Sequence, residues 1–326
     1  MTIGRRQFVQ LMAGAAALPG VTAPARAQAY PARPVRVVVP VAPGGANDTT
    51  ARLVAQKLSD HLGQQFYCEN QVGAGGNIAF AATAKAPKDG YTLLAAGGNF
   101  IINPSLYARV PYDPFTDFAP VSLLCSSPHV VAVHPSVPAA NMQEFVALLK
   151  VNPGKFSYGS AGRGTPAHLA GELFRLNFGL DIAHVPFGGG GPAMTATIGN
   201  HIPMTFAALP TAVPYVKAGN VKALGLMGGK RSSLLPDVPT MAELGSAGLE
   251  ADIVTGLVVP AGTPGEIIDV LHRALVTIMA APDFRERLAA LGFEPVANTP
   301  AQFAVWIRSE ADKWAKVIRD ANITLQ

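Results

Sequence analysis

Residues 35–62 read V-R-V-V-V-P-V-A-P-G-G-A-N-D-T-T-A-R-L-V-A-Q-K-L-S-D-H-L, and the order of strand, glycine turn and helix in this stretch decides the fold class. The apolar, β-branched run from Val35 to Val41 predicts a buried strand. Pro43, Gly44 and Gly45 form the turn, and a helix is expected from Asn47 or Asp48. Glycines carry no Cβ, so the N–H groups of such a turn can come close to a ligand. The first turn of the helix adds unpaired donors and a partial positive charge. Together they suit a small anion such as a carboxylate or phosphate. The same turn also serves simple chain reversal, so by itself it only nominates a site.

The device recurs about 115 residues later, in F-S-Y-G-S-A-G-R-G-T-P-A-H-L-A-G-E-L-F-R-L-N-F at 156–178. Here Thr165 is a good N-cap and Pro166 suits the first helical position. Between and beyond the two, short apolar strands alternate with helical segments, the pattern of an α/β protein. Strands are expected at 65–69, 91–96, 119–124, 129–133, 181–186, 202–206, 221–227 and 252–259. Helices are expected from 77 through Ala86, and at 141–151, 210–218, 264–280, 282–291 and 300–321, with a loop at 187–192. Asn141 and Glu144 have the spacing of a capping box. Trp306, Trp314, Val317 and Ile318 read as the core face of the last helix.

The first 27 residues stand apart. Arg5-Arg6, an apolar run from Val9 to Leu18 and Ala25-Arg26-Ala27 predict an export signal of twin-arginine type, cleaved near Ala27. The leader holds three arginines and no acidic residue, so without it the formal net charge of +4 falls to +1. That near-neutral balance lacks the basic footprint of a nucleic-acid binder. Cys68 and Cys125 would sit in a compartment that permits disulfides; a bridge and two separate buried thiols both remain open.

Catalytic and cofactor motifs fail on inspection. Gly73-Ala74-Gly75-Gly76-Asn77-Ile78 has Ile where a dinucleotide fingerprint needs its third glycine. Gly229-Lys230-Arg231 lacks the Ser or Thr of a P-loop. Tyr158-Gly159-Ser160-Ala161-Gly162 has Tyr where a nucleophile elbow begins with Gly, and no base can be assigned to Ser160. The seven histidines show no metal-ligand spacing. His168, in the first turn of the second device, suits either a ligand contact or a tie within that turn. An α/β chain with two anion-ready helix starts and no catalytic set points to a binder whose two lobes face one cleft and close by a hinge.

A longer series of motifs carries a resemblance. Y-P-x-R-P at 30–34, A-P-G-G-x-x-D at 42–48, G-A-G-G-N at 73–77 and D-G-Y-T-L-L at 89–94 are joined by N-P-S-L-Y at 103–107 and D-F-A-P-V-S at 117–122. S-A-G-x-G-T at 160–165, H-L-A-G-E-L-F at 168–174, H-V-P-F at 184–187, L-P-D-V-P-T at 235–240 and P-A-G-T-P at 260–264 complete the series. In order and spacing the chain resembles the Bug (TctC) family, extracytoplasmic solute receptors of tripartite tricarboxylate transporters. The resemblance implies a two-lobed, type II-like α/β periplasmic binding protein, each lobe a mainly parallel sheet flanked by helices, with a hinge of two crossing strands. It implies lobe 1 at 28–131 plus 255–326 and lobe 2 at 132–254.

By the same resemblance the protein is a monomeric periplasmic receptor that hands a small carboxylate to membrane components of a transporter, with no catalytic residue, cofactor, metal or nucleic acid. Gly44, Gly45, Ala46 and Asn47 would hold the carboxylate from one lobe, and Ser160, Ala161, Gly164 and Thr165 from the other, with Asn99 as a further contact. Departures from the family pattern fall at Arg163, Phe187, Ala208 and Val254. Arg163 suits a clamp on a second carboxylate or a solvated loop position. Ala207-Ala208 stands where the family often has Asp-Asn, which argues against an amine-bearing ligand. Val254 replaces a common Trp and reshapes the pocket wall. The expected ligand is a di- or tricarboxylate or an aromatic carboxylate. Two other readings stay open: a receptor that presents its ligand to a membrane sensor kinase, and a hydrolase using Ser160.

Overall fold

Strand β1 (Val35–Val39) lies inside a sheet, its valines almost fully buried. In this computed structural model, which describes residues 30–325, β1 pairs in parallel with β2 (Phe66–Asn70) on one side and β3 (Thr92–Ala96) on the other. The export-signal reading of residues 1–27 lies outside the described residues. Strand β4 (Phe118–Val133) and the later β9 (Asp252–Pro260) then run antiparallel beside β3, in the order β2-β1-β3-β9-β4. Helix α1 (Ala46–Leu62) buries Ala51, Val54, Ala55 and Leu58, and stops at Gly63 in the left-handed region. These apolar faces join Leu271, Leu275 and Ile278 of α8 (Gly265–Ala280) in one core.

The second half of the sheet repeats the plan. Strands β5 (Phe156–Ser160), β6 (Ile182–Pro186) and β7 (Met204–Ala208) are mutually parallel, β5 lying between the other two. Strand β7 and strand β8 (Lys222–Met227) both pair antiparallel with β4. The fold is a two-lobed α/β binding-protein architecture in which a parallel core in each half is flanked by antiparallel pairs, giving a mixed sheet.

Strand β4 is the joint. The sequence suggested two strands, 119–124 and 129–133; the structure has one strand of 16 residues. Residues 118–128 pair with β9, and from His129 onward the partners are β7 and β8. Pro128 stands at this exchange of neighbours, where the N–H it lacks is needed by neither ladder. A two-residue β10 (Glu294–Pro295) also pairs with β4 at the joint.

Helices fill the layers. Those between β2 and β4 are α2 (Asn77–Ala84) and α3 (Asn99–Leu106). The second lobe adds α4 (Met142–Lys150), α5 (Pro166–Phe178), α6 (Gly190–Ile198) and α7 (Leu209–Lys217). The chain ends with α9 (Pro282–Ala290) and α10 (Pro300–Asp320). Helix α10 opens with a capping box between Thr299 and Gln302 and packs against β4, α3 and α5, so it touches both lobes. Trp314, Val317 and Ile318 are buried as expected, and Trp306 packs half-buried against the same core. Asn141 caps α4 by accepting from the Glu144 N–H, while the Glu144 carboxylate reaches back to the N–H of Ala140.

Two helices escaped the sequence reading. Helix α3 contains Pro104, which cannot donate to the carbonyl of Phe100. The hydroxyl of Tyr112 donates to that carbonyl at 2.9 Å, so the buried acceptor is satisfied from outside the helix. Helix α6 begins at Gly190, inside the segment expected as a loop, and buries Ala193, Met194, Ala196 and Thr197. Its glycines have poor helix propensity, and packing overrides them.

Candidate functional site

A cavity of about 610 Å³ lies between the lobes, and its wall is made of helix starts. The β1–α1 turn contributes Gly45, Ala46 and Asn47. The first intrahelical bond of α1 runs from Thr49 N–H to Gly45 C=O, so the N–H groups just before it have no helical partner. The turn is pinned from below by Asp48, which is 3% exposed. Its carboxylate accepts from Gly44 N–H at 2.9 Å, Arg52 Nε at 3.0 Å and Asn70 Nδ2 at 2.7 Å. Burial by itself would raise the Asp48 pKa; these hydrogen bonds outweigh it and hold the group ionised below the usual range. Gly44, at φ +88°, takes a conformation that a side chain would strain.

Asn47 is 9% exposed. Its Nδ2 donates to Thr255 Oγ1 at 3.2 Å, and Thr255 is in turn 2.8 Å from Thr50 Oγ1. Its Oδ1 has no partner among the described residues. Asn99 lines the cavity at the start of α3, and its Nδ2 donates to Gly75 C=O at 3.2 Å. Asn103 donates to the same carbonyl at 3.0 Å, so the two amides hold the glycine loop ahead of α2 against the cavity. Gly76 in that loop combines φ +99° with Phe80 so close that a Cβ would meet its ring at 2.7 Å.

On the opposite wall, Ala161, Thr165, Pro166 and Ala167 present the start of α5. The Thr165 hydroxyl donates to Gly162 C=O at 2.7 Å and accepts from His168 N–H. Ser160 is fully buried beneath the turn: Oγ is 2.7 Å from His184 Nε2 and accepts from Gly162 N–H at 3.1 Å. His168 Nδ1 accepts from Gly164 N–H at 3.1 Å, and its ring stacks on His184 with centroids 3.8 Å apart. Burial, and secondarily the neighbouring arginines, pulls His168 down to about 4; burial and then His168 do the same for His184. The pair is therefore neutral at pH 7. Below it, Tyr158 and Arg175 both donate to the Glu172 carboxylate, at 2.5 and 2.7 Å. Of the two roles open to His168 in the sequence, its contacts correspond to the tie within the turn.

Of the residues nominated from the sequence, Gly45, Ala46, Asn47, Asn99, Ala161, Thr165 and Ala208 share the wall of this one cavity. Gly44, Ser160, Arg163, Gly164 and Phe187 are not on the wall. Arg163 is exposed, while Gly164 packs so near Leu106 and Leu325 that a Cβ would meet them at 3.1 and 2.7 Å. Phe187 lies beneath Gly159, its backbone N–H donating to Ser160 C=O. Val254, noted from its departure, and Phe206 both line the cavity. The sequence missed His129, Thr211 and the Gly75-Gly76 backbone. His129 lies in an apolar strand pattern, and only the joint in β4 turns it to the cleft.

Among the described residues, no Asp, Glu, Lys or Arg stands on the cavity wall. Charge complementarity comes instead from six helix starts, those of α1, α2, α3, α5, α6 and α7. The positive ends of their dipoles favour an anion, and the apolar wall between them favours a carbon body. Among the described residues there is no group of three or more His, Cys, Asp or Glu placed to hold a metal, and no helix long and apolar enough to cross a membrane.

Comparison with known proteins points the same way. The family profile described as "Tripartite tricarboxylate transporter family receptor" matches residues 50–323. The chain is 36% identical to protein BugT of Bordetella pertussis over 309 residues, 94% of this chain and 95% of that protein. It is similar to the structure of R. palustris Rpa4515 with adipate, at 32% identity and TM-score 0.79, covering 91% of this chain and all of that one. MatC (Rpa3494) from Rhodopseudomonas palustris with bound malate is similar at 33% identity and TM-score 0.75, covering 89% of this chain and all of that one.

Proposed function

Because the chain belongs to the receptor family of the tripartite tricarboxylate transporters, we propose that it is a periplasmic solute-binding protein that captures a small organic carboxylate between its lobes. Delivery is to the membrane components of a tripartite transporter, without chemistry on the ligand. The family comparison supports the compartment, and the neighbours titled with adipate and malate support the ligand class. The observation that carries the reading is the presence of six helix starts on one cavity whose wall, among the described residues, has no charged side chain.

The carboxylate is held by backbone N–H groups at Gly45, Ala46 and Asn47 from one lobe and at Ala161 from the other, with Thr165, Asn99 and Ala208 completing the wall. Gly44, Ser160 and Gly164 shape the turns. Lobe 1 comprises 28–131 plus 255–326 and lobe 2 comprises 132–254; the exchange of β4's partners at His129 supports that division. Di- and tricarboxylates and aromatic carboxylates fit the site. An amine-bearing ligand does not, because no acidic side chain on the wall would offset a buried ammonium.

A second reading, a hydrolase using Ser160, has the Ser160–His184 contact in its favour. Its nucleophile is fully buried, off the cavity wall. A thermal-shift screen of mono-, di-, tri- and aromatic carboxylates and amino acids tests the proposal. A ligand at 100 times its Kd should stabilise the protein by roughly 2.7 kcal/mol. Stabilisation by amino acids alone, or by no carboxylate, would sink it.

A further inference from the structure

Among the described residues, His129 is the one ionisable side chain on the cavity wall, and its hydrogen bonding determines what it offers a ligand. The ring is 2% exposed, on β4 directly opposite Ala208 in the ladder with β7. Nδ1 lies 2.7 Å from the carbonyl oxygen of Ala251. A carbonyl only accepts, so Nδ1 carries the proton and Nε2 of the neutral ring presents a lone pair. Nε2 has no hydrogen-bond partner among the described residues. Burial keeps the ring neutral by pulling its pKa down to about 4.

The wall is therefore asymmetric. The helix starts offer donors, which a carboxylate satisfies. His129 offers an acceptor, which an ionised carboxylate leaves unpaired and faces with its own lone pairs. A buried acceptor left without a donor is costly. Thr211, three residues beyond Ala208, is also on the wall and carries a hydroxyl. A ligand hydroxyl, unlike an ionised carboxylate, has a proton to donate to His129. The rest of the wall around this end is apolar, with Phe206, Ile253 and Val254.

We propose that His129 is a specificity-determining residue that reads a neutral hydroxyl on the ligand, so that the cavity selects hydroxylated monocarboxylates with an apolar body over dicarboxylates. The proposal rests on the carboxylate reading above and narrows it.

Isothermal titration of the purified protein with two matched series tests it: 4-hydroxybenzoate, benzoate and terephthalate, and 6-hydroxyhexanoate, hexanoate and adipate. In at least one series the hydroxy acid should bind about tenfold or more tightly than both its companions, the size of one buried hydrogen bond gained or left unmade. His129→Leu should reduce that advantage to about threefold or less, and His129→Gln, whose amide oxygen can accept, should keep most of it. His129→Leu also removes the bond to Ala251, so its unfolding curve is recorded; should it not fold, the ranking by the wild-type protein and His129→Gln decides. A dicarboxylate or the plain acid binding as tightly as the hydroxy acid in both series overturns the role of His129 and leaves the carboxylate reading standing. Binding by none of the six overturns both.

Discussion

Ser160 Oγ and His184 Nε2 lie 2.7 Å apart, a serine–histidine contact that braces the turn leading into α5 from behind. The same Oγ accepts from Gly162 N–H, so it fixes the path of the chain leading to Thr165 and the start of α5. Ser160→Ala should therefore lower ligand affinity by about tenfold, the scale of one buried hydrogen bond to an ordered turn. Neither the wild type nor the variant should turn over ester substrates. Ester turnover that disappears with Ser160→Ala would reverse this view and make the pair catalytic.

The first turn separates binding from folding. An ideal Cβ at Gly45 meets only Ala42 C=O, at 3.7 Å, and the residue has φ −73°. Gly45→Val should fold with a stability change of about 1 kcal/mol or less, yet place methyl groups at the position proposed for the carboxylate. Calorimetry should show binding weakened by well over tenfold. Unchanged affinity would remove this turn from the site.

Asp48→Ala should do the opposite. Gly44 N–H, Arg52 and Asn70 all donate to this one buried carboxylate. Its removal strands these donors and should cost about 2–3 kcal/mol of stability in denaturant titration. A loss within experimental error would show that the turn holds its shape without its anchor.

Acid should destabilise the protein between about pH 6.5 and 4. His129, His168 and His184 are each held near 4 in the folded state, chiefly by burial, against about 6.5 unfolded. Across that window the unfolded chain binds protons that the native protein refuses, so stability falls as pH falls. Asp252 acts the other way: burial raises it from 3.8 to about 7, so its contribution is present at low pH and lost as pH rises through 7. Asp252→Asn should therefore steepen the acid loss. Melting temperatures at pH 7.5, 6 and 5 check both statements; a flat profile in the wild type contradicts the first, an unchanged slope in the variant the second.

Cys68 and Cys125 should both titrate as thiols. They are free in the structure, and Cys68 lies on β2 while Cys125 lies on β4, four places away in the order β2-β1-β3-β9-β4. At about 4.8 Å per strand they stand roughly 19 Å apart, far beyond the ~7 Å Cα limit of a disulfide. Burial pushes the thiols up to about 11 and 12, so little thiolate is present at neutral pH. Reductant should leave the melting temperature unchanged, and thiol assay in denaturant should find two groups per chain. A bridge in the folded protein would contradict this strand order.

The sequence by itself determined the alternation of strands and helices and the two glycine turns, because these depend on local periodicity, missing Cβ atoms and capping residues. Gly45, Asn47, Ala161 and Thr165 could be nominated for that reason: each belongs to a helix start that a short window reveals. Helices α3 and α6 were illegible because their local signals point elsewhere. Pro104 argues against a helix until Tyr112 supplies the missing donor, and Gly190-Gly191 argues for a loop until packing of Ala193 and Met194 outweighs it. Which parts of the glycine turns face the ligand was a tertiary matter. Arg163, one residue from Gly164, points to solvent, and Ser160 points toward a stacked pair of histidines, His168 buried and His184 half-buried. His129 looks like any buried strand residue in sequence. It reaches the cavity wall because β4 exchanges its neighbours there, and the Ala251 carbonyl, 122 positions away, decides which of its nitrogens is left to meet a ligand.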